Sequence, residues 1–375
     1  MKPSLKFCRR RLCTLFAGIA LITSVVFVTQ AAAQVFFPEK LTAMDAAITE
    51  AIAEKKCPGG VLWLERNGTA YHKAFGNRAV ELAKEVMTED TIFDAASLTK
   101  VVATTPAIML LVERGKINVD APVHTYIPEF KSNGKEGITI RHLMTHTSGL
   151  RPGISAKPEW SGYEKAIELA CAEKPLNAAG AIFRYSDINY ILLGEVVQRA
   201  GGAELHKFAA KEIYAPLKMV DTGFLPPAEK LSRVAPTEKL ESGEVLRGKV
   251  HDPTSRRMGG VAGHAGLFTT AADLARYARM LLNQGELDGA RIFKPETVKL
   301  MTSVQSPESV PARRGLGWDI DSGYSGPRGK IFPIGSYGHT GWTGTSLWID
   351  PFSQTFVIFL SNRNHPTEGC GMRNS

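Results

Sequence analysis

The chain has 375 residues, 44% of them hydrophobic and 22% charged, with a formal net charge of +8. That length and apolar content can bury a large core, as one big domain or two lobes, and no internal repeat or low-complexity linker interrupts it. The charge is no mandate for nucleic acid: five basic residues and no acidic ones fall in positions 1–33, so the remainder carries +3, with no basic run interleaved with aromatics.

At the N-terminus Lys2, Lys6 and Arg9 to Arg11 precede a mostly apolar run from Leu12 to Val28, and Ala31-Ala32-Ala33 follow. A basic start, an apolar middle and an Ala-x-Ala site predict a secretory signal peptide, residues 1–33, cleaved after Ala33. The alternative is an uncleaved membrane anchor, because the apolar run reaches the lower end of the roughly 17–25 residues a span needs. Both readings export the body, 34–375, to the periplasm or beyond, and membrane contact is expected only if the segment stays uncleaved. Cys57, Cys171 and Cys370 then remain, an odd and sparse set that permits at most one intramolecular disulfide and has no metal-ligand spacing.

Leu41 to Lys55 has helical spacing. Gly60 to Arg66 reads as a strand, Asn67-Gly68 as a hairpin turn and Thr69 to Phe75 as the returning strand. FDAASLTK, residues 93–100, opens another helical pattern that runs through Met109 to Val112, with Pro106 as an expected kink. From about 116 to 254 the chain reads mainly as helices and loops. Thr139 caps one at TIRHLMTH, and YEKAIELACAE, INYILLGEVVQRA and ELHKFAAKEI are others. A Gly-rich stretch, GGVAGHAGLFTT, then leads into the helix AADLARYARMLL, and the chain closes with strand-like SLWIDP and TFVIFLSNR. Strands near both ends with helices between them predict an α/β fold of the α+β type: an antiparallel sheet flanked by helices, built from both termini, with a mainly helical lobe inserted.

Ser-x-x-Lys occurs twice. Ser132-Asn133-Gly134-Lys135 lies among Pro128, Gly134 and Gly137, which is loop chemistry, and nothing in the sequence fixes its lysine relative to its serine. Ser97 instead falls in the first turn of a helical pattern, with Asp94 as a possible cap, so Lys100 shares its face. The helix N-terminus offers N–H groups to a developing oxyanion. A serine hydroxyl needs a base, and a lysine serves only if burial or nearby positive charge lowers its pKa. The bland reading is a first-turn serine beside a solvated lysine.

Two further motifs weigh against the bland reading. Tyr185-Ser186-Asp187 precedes the helix INYILLGEVV, and His339-Thr340-Gly341 precedes a strand. With Ser97-x-x-Lys100, in this order, the chain resembles the penicillin-recognising serine hydrolases: DD-peptidases, class C β-lactamases and related esterases. GHTGWTGTSLWIDP, RHLMTHTSGL and GGVAGHAGLFTTAADLARY look like their recurrent stretches, so the resemblance covers nearly the whole mature chain and implies a β-lactamase/transpeptidase-like fold.

The resemblance implies that Ser97 is the acylated nucleophile and that Lys100 and Tyr185 share the proton work, with no cofactor and no metal. It implies an oxyanion hole from the N–H groups of Ser97 and Trp342, whose ring also falls at the acyl pocket. Asp187, His339, Thr340 and Gly341 would line the substrate site, Gly341 letting a substrate backbone lie alongside. A protonated His339 would add positive charge. Two departures matter. Asp187 stands where the family pattern has Asn; an ionised carboxylate only accepts hydrogen bonds, and it could hold Lys100 protonated. His339 replaces Lys, and an imidazole near pKa 6.5 attracts a carboxylate less steadily. Both argue against an efficient β-lactamase. The expected substrate is a D-Ala-D-Ala type peptide or other peptidoglycan fragment, with a small-acyl esterase as the alternative and a catalytically inactive wall-fragment binder or sensor as the alternative of another class. Relatives usually close with a long helix on the sheet, whereas HPTEGCGMRNS has no amphipathic pattern, so one sheet face is expected to be less covered.

Rival sites are weaker. His142 and His146, four apart on an expected helix, lack the Glu of a zinc motif. GGVAGHAG lacks nucleotide-loop spacing, and its His264 is read as structural, with a place at the cleft mouth as the alternative. His251-Asp252 has no Gly-x-Ser-x-Gly elbow to serve. The sequence sets no oligomeric state.

Overall fold

The computed structural model describes residues 35–367; the signal segment and Cys370 lie outside the described residues. The chain begins with helix α1 (Pro38–Ala53), strands β1 (Gly59–Arg66), β2 (Thr69–Ala79) and β3 (Glu85–Val86), and a short β4 (Phe93–Asp94). Helices α2 (Thr105–Glu113), α3 (Ile140–Met144), α4 (Tyr163–Ala172), α5 (Asp187–Gly201) and α6 (Leu205–Ala209) follow, then β5 (Gly223–Phe224), α7 (Pro253–Arg257), β6 (Leu267–Thr269) and α8 (Ala271–Leu282). A small hairpin β7–β8 (Glu286–Leu287, Ala290–Arg291), helix α9 (Pro295–Thr302) and strands β9 (Arg313–Arg314), β10 (Asp319–Asp321), β11 (Tyr337–Gly341), β12 (Thr345–Asp350) and β13 (Thr355–Ser361) complete it.

One antiparallel sheet in the order β3-β2-β1-β13-β12-β11-β10-β9 joins the two ends of the chain, as the sequence pattern implies. The Asn67-Gly68 turn sets the β1–β2 register, with Arg66 opposite Thr69, and β13 pairs with β1 through Val61 opposite Leu360. Helix α8 packs on β1 and β13 with Leu274, Ala275, Tyr277, Ala278 and Leu281 buried. Its Arg279 reaches the buried Glu65 of β1 through two bonds, at 2.7 and 2.6 Å. This fork-to-carboxylate geometry satisfies a charge that the sheet would otherwise leave stranded. Helix α1, by contrast, lies on β2 with no buried residue.

Helix α5 is buried without interruption from Ile188 to Val197 and ends at Gly202 in the left-handed region (φ 70°), a common helix stop. It is the centre of the helical half. Against it lies the Gly-rich loop before β6: a Cβ at Gly263 would sit 1.9 Å from the Tyr190 carbonyl oxygen, so only glycine allows this approach. Pro106 causes no break in the helix after Ser97. Residues Lys100–Thr104 form a wider π-type turn, and the carbonyls of Val101 and Val102, in the stretch where Pro106 lacks an N–H, accept from the buried hydroxyls of Tyr277 (2.8 Å) and Tyr214 (3.3 Å). Among the described residues no helix is long and apolar enough to cross a membrane. Cys57 and Cys171 are free thiols, and burial pushes Cys171 up to about 11.

Candidate active site

Ser97 sits in the turn between β4 and the helix that contains Lys100, one residue earlier than a first helical turn. Asp94 holds this turn: its carboxylate accepts from the Ala96 N–H (2.8 Å) and from the His251 N–H (2.6 Å). Ala96 takes a positive φ of 46°, an uncommon conformation for a residue with a Cβ, immediately before the serine. Such strain persists only where surrounding contacts over-determine it. Here Thr343, in the turn between β11 and β12, and Thr345, the first residue of β12, donate to the carbonyls of Asp94 (2.8 Å) and Ala95 (3.0 Å). A Cβ at Gly341 would meet Ala95 O at 2.6 Å, so this glycine is required for the close approach of β11 to the serine turn, not only for room beside a substrate.

Lys100 is fully buried; its ammonium donates to Ser97 Oγ at 2.9 Å and to the His264 carbonyl at 3.0 Å, and forms an ion pair with Asp187 Oδ1 at 2.7 Å. Each acceptor has its own support. Asp187 is the first residue of α5, and the His264 carbonyl is brought in by the Gly263 approach and by Thr104 donating to Gly263 O at 2.6 Å. Burial opposes the charge on Lys100, but Asp187 and Tyr185 outweigh it and hold the ammonium above its ordinary pKa. Tyr185 is half-buried beside this group, its ring 5.0 Å from the ammonium, and Lys100 and Ser97 both act on its phenol. Burial raises the phenol and Asp187 adds to the rise; Lys100 and Ser97 pull it back only partly, so the resting phenol is neutral.

The structure therefore brings Ser97, Lys100, Tyr185 and Asp187 together, with β11 beside them. A cavity of about 350 Å³ on the β11 side is lined by Ser97, Tyr185, His339, Thr340, Gly341 and Trp342. Arg314, Asp319, Tyr324 and Arg363 also line it. His339 is held in its neutral form. The ring is buried, its Nδ1 donates to Thr340 O at 2.7 Å, and burial together with Arg314 and Lys100 pushes it well below 6.5. Positive charge at this cavity comes instead from Arg363, because Arg314 is offset by Asp319. Arg314 is fully buried and paired with Asp319 at 3.3 Å; Arg363 donates to the Trp342 carbonyl at 2.8 Å and lies over the Trp342 ring.

A second cavity, also about 350 Å³, opens on the other side of Ser97 and is lined by Ala96, Tyr185, Asp187, His251, Asp252, His264 and Trp342. His264 is structural through its carbonyl, but its imidazole also pairs with Asp252 (Nε2 to Oδ1, 2.9 Å), a partner the sequence does not single out. His146 is a further residue not foreseen in the site. It lies beyond the end of α3 with φ 57°, which removes the helical spacing a two-histidine metal site would need. Its ring stacks on Tyr185 at 4.4 Å, and its Nδ1 accepts from the Ser186 N–H at 3.1 Å. Burial, Arg314 and Lys100 keep His146 neutral. His142 meanwhile closes a capping box with Thr139.

At the second Ser-x-x-Lys copy, Lys135 is not free as the loop chemistry suggests. It is buried, donates to Glu173 O at 2.8 Å and reaches Ser132 Oγ at 3.4 Å. Ser132 faces a cavity of about 560 Å³ lined by Glu129, Glu164, Glu168 and Glu195, where the phenol of Tyr163 donates to Glu195 at 3.0 Å. An acidic wall opposes a developing oxyanion, so this copy lacks the machinery of the first.

Comparison with known proteins agrees with this geometry. The sequence profile of a family described as Beta-lactamase matches residues 44–374. A protein of Escherichia coli (strain K12), provisionally named D-alanyl-D-alanine carboxypeptidase, is 31% identical, the alignment covering 88% of this chain and 84% of that one. N-acetylmuramyl-L-alanine amidase of Bacillus subtilis (strain 168) is 32% identical, covering 88% and 82%. Among solved structures, a penicillin-binding protein homologue from Caulobacter crescentus superposes with a TM-score of 0.70 at 23% identity, covering 87% of this chain and 92% of that one.

Proposed function

The chain belongs to the β-lactamase family of serine hydrolases, and from that premise we propose that it is an exported acyl-transfer hydrolase of the D-alanyl-D-alanine carboxypeptidase type, acting on peptidoglycan fragments through an ester on Ser97. The observation that carries the reading is the shared contact of Ser97, Lys100, Tyr185 and Asp187 around one buried ammonium. Held as an ammonium by Asp187, Lys100 has no lone pair to accept a proton. Tyr185 is then the proton carrier and Lys100 the fixed charge that makes the phenolate accessible. Tyr185 first releases its own proton to solvent, and Ser97 Oγ attacks the substrate carbonyl as its proton passes to the phenolate oxygen so formed. The tetrahedral oxyanion is held by the N–H groups of Ser97 and Trp342, and Tyr185 returns the proton to the leaving amine. Water repeats the sequence in reverse to release the acid. Arg363 at the lip of the first cavity, rather than His339, attracts a substrate carboxylate. The N-terminal signal and the names of the relatives support export.

A second reading, amidase action on a muramyl peptide, has one observation behind it. At the floor of the first cavity Arg314 and Asp319 cancel in charge, and both Asp319 oxygens accept no hydrogen bond there. That floor suits a neutral group with both donors and acceptors, such as a sugar. Purified protein given a fluorescent penicillin or fluorophosphonate, then a nitrophenyl ester, a chromogenic cephalosporin, a D-Ala-D-Ala peptide and a muramyl peptide, tests both. We expect a covalent label lost in Ser97→Ala, cleavage of the ester and of a cell-wall fragment, and slow or absent cephalosporin turnover. Absence of any label on the intact protein would refute the acyl-enzyme and leave an inactive binder.

A further inference from the structure

His146 lies outside the proton path, yet it touches the segment that carries Tyr185 at three consecutive residues. Its carbonyl accepts from the Arg184 N–H at 2.8 Å, its ring stacks on the Tyr185 ring with centroids 4.4 Å apart, and its Nδ1 accepts from the Ser186 N–H at 3.1 Å. Ser186 is the cap residue before α5, so that N–H has no partner in the helical ladder. The Asn189 side chain of α5 brings a second N–H to His146 Nδ1 at 3.3 Å, and Ser148 fixes its orientation by donating to Asn189 Oδ1 at 2.6 Å. With two donors facing Nδ1, the proton of the neutral ring sits on Nε2. That Nε2 is buried and has no hydrogen-bond partner. An apolar ring would avoid the unpaired N–H but would offer no acceptor on its edge. The other rings beside Tyr185 stand farther off, Tyr324 at 5.4 Å and His339 at 6.1 Å, and Tyr324 is exposed.

We propose that His146 is the positioning residue of the phenol: by clamping residues 184–186 it fixes where the Tyr185 oxygen stands relative to Ser97 and Lys100. This deepens the acyl-enzyme reading and rests on it. The phenol oxygen lies at the far end of a long side chain, so a small rotation near the backbone moves it a long way. Misplacing a reacting group by about 1 Å costs on the order of a hundredfold in rate. The Lys100 ammonium attracts the phenol but does not set the plane of its ring; the stacked imidazole does. His146 reaches both sides of Tyr185 because its positive φ of 57° turns the chain at the end of α3, an uncommon conformation for a residue with a Cβ. The clamp needs an uncharged ring. A charged imidazole carries a proton on Nδ1 as well, which would meet the Ser186 N–H donor to donor. Burial first, then Arg314, Lys100 and His339, oppose that charge. The competing role is structural only: a side chain that fills the core and never affects the phenol.

The test measures kcat and KM for a nitrophenyl ester on the full protein, in wild type, His146→Asn and His146→Phe, each with and without Tyr185→Phe. Labelling of Ser97 by a fluorophosphonate runs in parallel. Asn removes the stacked ring, whereas Phe keeps the ring and removes the acceptor. His146→Asn is expected to lose about tenfold to a hundredfold in kcat with KM unchanged, and His146→Phe to recover part of that loss. In the Tyr185→Phe background neither change should lower kcat further, because no phenol remains to be placed. Losses that multiply in the double variants, or that fall on KM, overturn the positioning role in favour of a structural one. Where a variant fails to fold, the ¹⁵N spectrum of the histidine rings in wild type gives an independent reading. A neutral His146 with a bare Nδ1 at neutral pH is expected, and a proton on Nδ1 overturns the clamp. Absence of the Ser97 label in wild type, or full ester turnover in Tyr185→Phe, would instead reject the acyl-enzyme reading beneath it.

Discussion

Replacing Asp187 by Asn tests the electrostatics of the site with little change of shape. Asn keeps the volume and one carbonyl acceptor but removes the charge 2.7 Å from a fully buried ammonium. At an effective dielectric near 20, unit charges 4 Å apart interact by about 4 kcal/mol. Asp187 is one-third exposed, and solvent screening reduces such a pair, so a loss of about 1–3 kcal/mol is the expected range. At about 1.4 kcal/mol per pKa unit, the Lys100 ammonium should drop by about one to two units. Asp187 also raises the Tyr185 phenol, so its pKa falls too. Both limbs of the pH–rate profile for a nitrophenyl ester should therefore move to lower pH. Stability follows the same sign. A lysine whose folded pKa is raised contributes fully below its unfolded value, near 10.4, and loses that contribution as pH rises through the folded one. Urea unfolding at pH 7 should show the deficit in full. A folded Asp187→Asn protein whose profile stays in place, or moves to higher pH, would refute the claim that Asp187 holds Lys100 charged.

Three other outcomes follow from the same geometry. Lys100→Ala and Tyr185→Phe should each lose at least about a hundredfold in kcat, the usual scale of a general acid–base group, and full ester turnover in either would break the proton path. Arg363→Ala should raise KM for a substrate with a terminal carboxylate, with less effect on its methyl ester; equal effects would remove Arg363 from recognition. His146 and His339 are held well below 6.5, burial first, and His365 is lowered to about 4. A histidine with a depressed folded pKa gives stability that is complete above its unfolded value and declines as pH falls below it. Unfolding free energy should therefore decline below about pH 6.5, by up to about 1.4 kcal/mol per pH unit for each of these histidines. His146→Asn should flatten that slope in urea melts, and an unchanged slope would show that His146 is charged or exposed.

Ser97, Lys100 and Tyr185 were legible because each belongs to a short motif with a fixed local geometry. The sheet was legible because β1, β2 and β13 have β-branched and aromatic runs with turn residues between them. The charge state of His339 was not. It depends on burial and on Arg314, whose two-residue strand β9 carries no strand signal of its own. Asp252 and His264 also escaped as a pair, since their contact depends on a glycine tolerating the Tyr190 carbonyl, a fact of tertiary packing. The wider turn before Pro106 was not legible, because it depends on tyrosines far along the chain that satisfy the carbonyls.

That wider turn gives the site a dependence on residue count. An α-helix advances about 100° per residue, and Lys100–Thr104 accommodate one residue more per turn than the regular ladder that follows. Deleting a single residue among Val101 to Thr104 would let the backbone run as a regular helix, and local propensity would favour the product. The segment N-terminal to the deletion would then be rotated about a third of a revolution against α5 and β6, swinging the amine away from its carboxylate. The irregularity is thus an indexing device, setting the angular phase between the reactive end of this helix and the body that anchors it.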